Sequence, residues 1–204
     1  PTMSFRVCIL IRQIFRHMKQ QKPSNIILVD LDGPLADLEG AFLTRWKEQF
    51  PGEFFVPFEQ RRHFFLREDY PEELRQKTDE VLRGDGFFGS LPVVSGSRES
   101  LFSLRSIGYA VIICTSDIFA NRTGLADKRQ WVRKHLDNDF AKAMIFTRDK
   151  TLIRGNYLID DKPVIQGALE PTWEHVIFDQ PFNRDVKDKK RISIDWSNWK
   201  ELFS

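Results

Sequence analysis

Short apolar runs that end in acidic or hydroxyl clusters constrain the fold of this chain more than any other feature. Asn25 to Val29 (NIILV) leads into Asp30-x-Asp32-Gly33, Ala110 to Cys114 (AVIIC) into Thr115-Ser116, and Tyr157 to Ile159 into Asp160-Asp161. Ala143 to Phe146 and His175 to Phe178 have the same short apolar character. Runs this brief suit strands buried on both faces of a parallel sheet. Helical patterns lie between them. Leu35, Leu38, Ala41, Phe42, Trp46 and Phe50 recur at roughly helical spacing up to the breaker Pro51-Gly52, Arg98 to Ser106 reads as a helix ended by Gly108, and Lys128 to Leu136 reads as another. This alternation predicts an α/β fold: a Rossmann-like, mainly parallel sheet with right-handed crossovers and helices on both faces. Ligands of such folds bind beyond the carboxyl ends of the strands, where the polar clusters fall.

Between Pro51 and Gly89 no strand is evident, and Glu59 to Arg67 and Pro71 to Arg83 read as helices rich in aromatic neighbours. The expected organisation is an N-terminal extension over residues 1–24, a core built from 25–50 and 90–204, and a small helical cap over 51–89 inserted after the first strand and helix. With 204 residues, 41% hydrophobic and 29% charged, the chain can bury a sizeable core, which excludes collagen-like, low-complexity and disordered classes. Its 31 basic and 29 acidic residues leave a net charge of +2, too little to imply a nucleic-acid polymer or an anionic membrane as partner. The longest apolar stretches, such as Val7 to Ile11 and Tyr109 to Cys114, fall far short of the ~20 residues of a membrane-spanning helix.

Cys8 and Cys114 fit neither a disulfide scaffold nor a zinc spacing, which suits a reducing compartment. Residues 1–29 contain no Asp or Glu but carry Arg6, Arg12, Arg16, Lys19 and Lys22. Such a segment reads either as an unspecialised extension, with a cytoplasmic protein, or as a mitochondrial targeting segment. The run Asp185 to Arg191 reads as a solvated loop before a β-patterned Ile192 to Ile194.

An isolated Asp after a strand is ordinarily a turn former or helix cap. Three strand ends carrying Asp30 with Asp32, Thr115 with Ser116, and Asp160 with Asp161, and with Lys150 between the last two, need another explanation. Carboxylates gathered in one pocket repel unless a cation neutralises them, and an oxygen-only donor set suits Mg2+ beside a substrate phosphate.

The segments VDLDGPLAD (Val29 to Asp37), ICTS (Ile113 to Ser116), TRDKT (Thr147 to Thr151) and LIDDKP (Leu158 to Pro163) resemble the four motifs of haloacid dehalogenase-like phosphatases. With LEGAFLTRW, EQRRHFFLRE, GFF and PTWEHVIF in this order, the chain from about Ile26 to Leu202 resembles the 5'(3')-deoxyribonucleotidases. The resemblance implies Asp30 as the nucleophile that forms an aspartyl phosphate and Asp32 as the acid/base partner. It implies Thr115 and Ser116 as donors to the phosphoryl oxygens, Lys128 near the phosphate and Lys150 offsetting transition-state charge, with Gly33 allowing a close backbone turn. Asp30 and the Asp32 carbonyl would hold Mg2+ together with Asp160 and Asp161, one of that pair directly and the other in support.

The cap would supply a nucleoside pocket from Leu38, Phe64, Phe65, Leu66 and Leu82. Leu38 and Leu82 stand where family members tend to carry aromatics, and Phe119 stands where the mitochondrial form has Lys. Apolar residues at helical spacing also have a plainer role as core. A homodimer is a further implication of the resemblance.

Gly84 to Gly89 (GDGFFG) spells G-x-G-x-x-G but follows a helical pattern and opens no helix, so it reads as a turn or hinge rather than a dinucleotide loop. His17, His63, His135 and His175 are scattered, and His175 reads as a structural histidine. The expected function is Mg2+-dependent hydrolysis of deoxyribonucleoside 5'-monophosphates, with 3'-monophosphates as a second substrate. The alternatives are a related phosphatase acting on another small phosphomonoester, or a phosphate-binding protein without turnover.

Overall fold

The computed structural model of the chain describes residues 25–117 and 121–203. The N-terminal extension with Cys8, and Phe119 beside the second motif, lie outside these residues.

The sheet is parallel throughout. Its strands are β1 (Ile26–Val29), β2 (Ala110–Thr115), β3 (Ile145–Phe146), β4 (Tyr157–Asp160), β5 (Glu174–Phe178) and β6 (Arg191–Ile192), in the spatial order β3-β2-β1-β4-β5-β6. β1 lies between β2 and β4, with Leu28 opposite Ile112 on one side and Leu158 on the other. The strand order reverses there, so the carboxyl ends of β1 and β4 flank the crevice where doubly wound sheets bind ligands.

Ile27, Leu28 and Val29 are completely buried. Ile27 and Val29 join a large apolar cluster with Phe42, Trp46, Trp131 and Phe178, whereas Leu28 joins a smaller one with Cys114, Leu158 and Trp173. Both sheet faces are thus covered, which is why β1 reads as a continuous apolar run rather than an alternating one.

The helices are α1 (Leu38–Gln49), α2 (Arg75–Arg83), α3 (Ser97–Ser106), α4 (Gly124–His135), α5 (Asn138–Ala143) and α6 (Trp199–Phe203). α1 starts three residues after Leu35, because the Asp37 side chain accepts the Gly40 amide at 2.9 Å and caps the helix there. α3 ends as expected before Gly108, whose φ of 103° suits glycine. α5 was hidden in the sequence. Asp137 accepts the Phe140 amide at 2.7 Å and starts a short helix through Ala143, leaving only Ile145 and Phe146 to the expected strand.

The insert departs from expectation. Glu59 to Arg67 forms no α-helix but two 3₁₀ turns, Phe58–Gln60 and Leu66–Asp69, joined by non-helical backbone that bends over residues 63–65, and Pro71 precedes a third turn at Glu72–Leu74 before α2 begins. The amides of Arg62 and His63 bond the Asp69 carboxylate instead of helix carbonyls. The insert also lacks a core of its own. Val56, Leu66, Tyr70, Leu74, Val81, Phe87 and Phe88 belong to the same cluster as the sheet, with the Tyr70 ring 4.7 Å from that of Trp46.

Gly84 to Gly89 is a turn, as expected. Gly84 ends α2, Gly86 takes φ of 76°, and Phe87 and Phe88 are buried behind it. The run Asp185 to Arg191 is a loop only as far as Lys190. Arg191 belongs to β6, and its guanidinium bonds Asp179, Asn183 and the Val186 carbonyl. No helix among the described residues is long and apolar enough to cross a membrane.

Candidate active site

The carboxyl ends of β1, β2 and β4, the amino-terminal part of α4 and the 3₁₀ turn at Lys150–Leu152 after β3 bring together the core residues expected at the site. Asp30 follows β1, its amide held by the Ile159 carbonyl at 2.8 Å. The chain then turns sharply at Gly33, where φ is 93° and a Cβ would run into the Asp161 carboxylate, so both backbone conformation and space require glycine. Thr115 ends β2 fully buried, and Ser116 follows it. Asp160 ends β4, with Asp161 next.

Two buried lysines enter this cluster. Lys128 of α4 is completely buried; its Nζ donates to Asp32 Oδ2 at 2.5 Å, the Ser116 carbonyl at 2.5 Å and Thr115 Oγ1 at 3.4 Å. Lys150 Nζ pairs with Asp160 Oδ2 at 2.5 Å and Asp30 Oδ1 at 3.0 Å. Carboxylate oxygens of Asp30, Asp160 and Asp161 all lie within 4.8 Å of one another. Asp32 Oδ1 is buried with no hydrogen-bond partner, and Asp30 Oδ1 faces Lys150 without hydrogen-bond alignment. An oxygen-only set with orphaned buried acceptors fits a hard divalent cation and a phosphoryl group better than a purely structural role. Asp30, Asp160 and Asp161 could hold the cation.

Electrostatics follow from burial. Desolvation raises the pKa of Asp30, with Lys150 opposing, and that of Asp32, with Lys128 opposing. Asp161 is raised well above the ordinary carboxylate range by burial and by the charges of Asp160 and Asp30, with Glu39 adding to them. Burial works against the Lys150 ammonium, but Asp160 and Asp30 outweigh it and raise the lysine, which stays cationic. Burial lowers His175 to about 4; its Nε2 faces the Asp160 carbonyl at 3.3 Å, a donor role for a neutral ring.

Residues to which the sequence reading gave no role hold this site. Asn183 Nδ2 donates to the Asp161 and Phe178 carbonyls, both at 2.8 Å. Trp196, itself at φ of 61°, donates its indole N–H to the Pro34 carbonyl at 2.8 Å from 162 positions away and so pins the loop after β1. Trp173 does the same for the Lys150 carbonyl at 3.2 Å. Asp117 and Arg148 form a two-point pair across the loops after β2 and β3. Their partners are distant in sequence, so no spacing could have revealed them.

The five pocket residues expected from the insert and α1 are placed less uniformly. Phe64 packs edge-on against Phe182 at 5.8 Å and lies under Lys162 Nζ at 5.5 Å; the Lys162 amide bonds Asp160 Oδ1. It is therefore linked to the strand-end site. Phe65 is 56% exposed beside it, with ring centroids 5.1 Å apart. Leu38 and Leu82 are half-buried against the main cluster, and the Leu82 carbonyl accepts from Asn121 at 2.9 Å. Leu66 is only 5% exposed within the core, which leaves little of it to meet a ligand.

Comparison with known proteins agrees with this architecture. The family described as 5' nucleotidase, deoxy (pyrimidine), cytosolic type C matches residues 24–203. The human cytosolic-type 5'(3')-deoxyribonucleotidase is 38% identical over 185 residues, covering 87% of this chain and 92% of that protein. The human mitochondrial 5'(3')-deoxyribonucleotidase is 36% identical, covering 87% and 81%, and a Bordetella pertussis relative bearing the same family name is 43% identical, covering 88% and 95%. Among solved structures, a haloacid dehalogenase-like hydrolase from Streptococcus pneumoniae shares the fold, with a TM-score of 0.51 at 11% identity over 88% of this chain and 98% of that one. The chain belongs to the 5'(3')-deoxyribonucleotidase family, phosphoric monoester hydrolases built on the haloacid dehalogenase-like fold.

Proposed function

We propose that this protein hydrolyses deoxyribonucleoside 5'-monophosphates, and 3'-monophosphates with them, to deoxynucleoside and phosphate through an aspartyl-phosphate intermediate on Asp30. The observation that carries this reading is the convergence of Asp30, Asp32, Lys128, Lys150, Asp160 and Asp161 at one switch point of the sheet. In the first half-reaction an Asp30 carboxylate oxygen attacks phosphorus, and the bond from phosphorus to the ester oxygen breaks. Asp32, which burial keeps protonated to higher pH than an ordinary aspartate, gives its proton to the departing nucleoside oxygen. In the second, Asp32 takes a proton from water as that water attacks phosphorus, and phosphate leaves Asp30.

Thr115 and Ser116 donate to the phosphoryl oxygens, while Lys128 and Lys150 supply fixed positive charge beside the phosphoryl group. Asp30, the Asp32 carbonyl, Asp160 and Asp161 are the residues that would hold Mg2+, which when bound neutralises the carboxylates and polarises the phosphoryl group. Residues 51–89 act as the cap over the leaving group, with Leu38, Phe64, Phe65, Leu66 and Leu82 as its nucleoside side. Phe64 carries the best geometric support among these five. The relatives named for cytosolic and mitochondrial forms leave both compartments open to this chain.

The test is phosphate release from 5'- and 3'-deoxy- and ribonucleotides and unrelated phosphomonoesters, with Mg2+ or EDTA. Metal-dependent turnover of deoxynucleotides with a trapped acyl phosphate supports the reading. Turnover of non-nucleotide esters alone overturns the substrate and keeps the reaction.

A further inference from the structure

A charge triad that the sequence pattern conceals ties the insert to α1. Glu39 sits in the first turn of that helix, where Arg61 Nε donates to its Oε2 at 2.8 Å and Arg61 Nη2 to its Oε1 at 3.1 Å. The remaining arm of Arg61, Nη1, pairs with Asp69. All three side chains are at most 5% exposed. Burying charge in this way gains little over an apolar contact of the same volume, so what such a group contributes is geometry. The geometry here is that of the loop leading into Phe64. Asp69 Oδ1 accepts the Arg62 amide at 3.2 Å and faces His63 Nδ1 at 2.8 Å, and Oδ2 accepts the His63 amide at 3.3 Å.

Residues 61–63 are consequently held out of helix, and Phe64 is delivered to Phe182 and Lys162 at the edge of the strand-end site. Arg61 itself lies 5.6 Å from the Phe182 ring, so one aromatic side chain contacts both the anchor and the residue it positions. Nothing in the triad bonds Asp30, Asp32, Lys128 or Lys150. We infer that Glu39, Arg61 and Asp69 are positioning residues for substrate selection: they set the Phe64–Phe65 edge against the leaving group and leave the phosphoryl chemistry to the strand ends. This rests on the reading of the leaving group as a nucleoside.

The experiment compares Asp69→Ala and Asp69→Asn with the unmodified chain, in Mg2+, on a deoxynucleoside monophosphate and on acetyl phosphate, which has a phosphoryl group but no nucleoside. Asp69→Ala should raise KM for the deoxynucleotide about tenfold and leave kcat/KM for acetyl phosphate within about twofold. Asp69→Asn keeps a carboxamide oxygen for the loop amides and should fall between. Equal losses on both substrates, in a variant that still melts cooperatively, overturn the inference. Should Asp69→Ala fail to fold, Asp69→Asn makes the same comparison at near-constant volume, and there too unequal losses support the inference and equal ones overturn it. Failure of the nucleoside reading shows already in the unmodified chain, as turnover of acetyl phosphate without turnover of any deoxynucleotide, and removes the inference with it.

Discussion

The strand-end site and the insert both bury charge, and they treat it oppositely. In the triad that joins the insert to α1 both carboxylates are matched: Glu39 and Asp69 are taken by Arg61, and Asp69 also by two backbone amides. At the strand ends three aspartates crowd within 4.8 Å, and Asp32 keeps an oxygen with no partner despite two buried lysines. A cluster whose carboxylates are both matched by one guanidinium holds a shape, whereas three carboxylates crowded against two lysines are arranged for something that binds there. On the proposed function, the contrast separates residues that do chemistry from residues that place them.

The comparison breaks first at Asp30. Asp30→Asn replaces the nucleophilic carboxylate by a carboxamide, and phosphate release should fall at least about a thousandfold while the melting transition is kept. A folded variant with near-normal turnover would end the claim that this cluster is the reactive one. Gly33→Ala is next, since it combines a left-handed backbone with a collision against Asp161. It should cost about 3 kcal/mol in a urea titration, together with most of the activity.

His175 tests what supports the strand ends, where its ring faces the Asp160 carbonyl. Its folded-state pKa of about 4 lies below the ordinary 6.5, so the neutral ring is the stabilising form. That stability is complete above about pH 6.5 and is lost as pH falls through about 4, a change of roughly 2 kcal/mol for a group that keeps some exposure. His175→Gln should flatten this part of the stability curve, read from urea midpoints across the range. The smallest effect is expected at Phe65. With 56% exposure, Phe65→Ala should change stability by less than about 0.5 kcal/mol and raise KM for the deoxynucleotide only a few-fold. A larger loss of stability would move Phe65 from the ligand side to the core.

The strands and the strand-end site were legible because their signals are local. NIILV followed by DxDG, and YLI followed by DD, are consecutive residues whose burial and polarity change at one point, and the structure places β1 and β4 there. The α5 helix was not legible, because a single cap at Asp137 starts it inside a short segment that also leads into a strand. The insert was misread for a related reason. Glu59 to Arg67 has helical composition, but Asp69 captures the amides that a helix would use.

What the sequence by itself determined was therefore the alternation of strands and helices, the acidic and hydroxyl cluster at the strand ends, and the family likeness that rests on its motifs. Each of these is written in neighbouring residues, because backbone burial and strand-end chemistry act within a few positions. Only the tertiary structure decided that Arg61 joins Glu39 across 22 positions, that Asn183 holds the Asp161 carbonyl across another 22, and that Trp196 pins Pro34 across 162. Those bonds form between groups that sequence order leaves far apart, and their partners are chosen by which surfaces the packed sheet, helices and insert bring within hydrogen-bond reach.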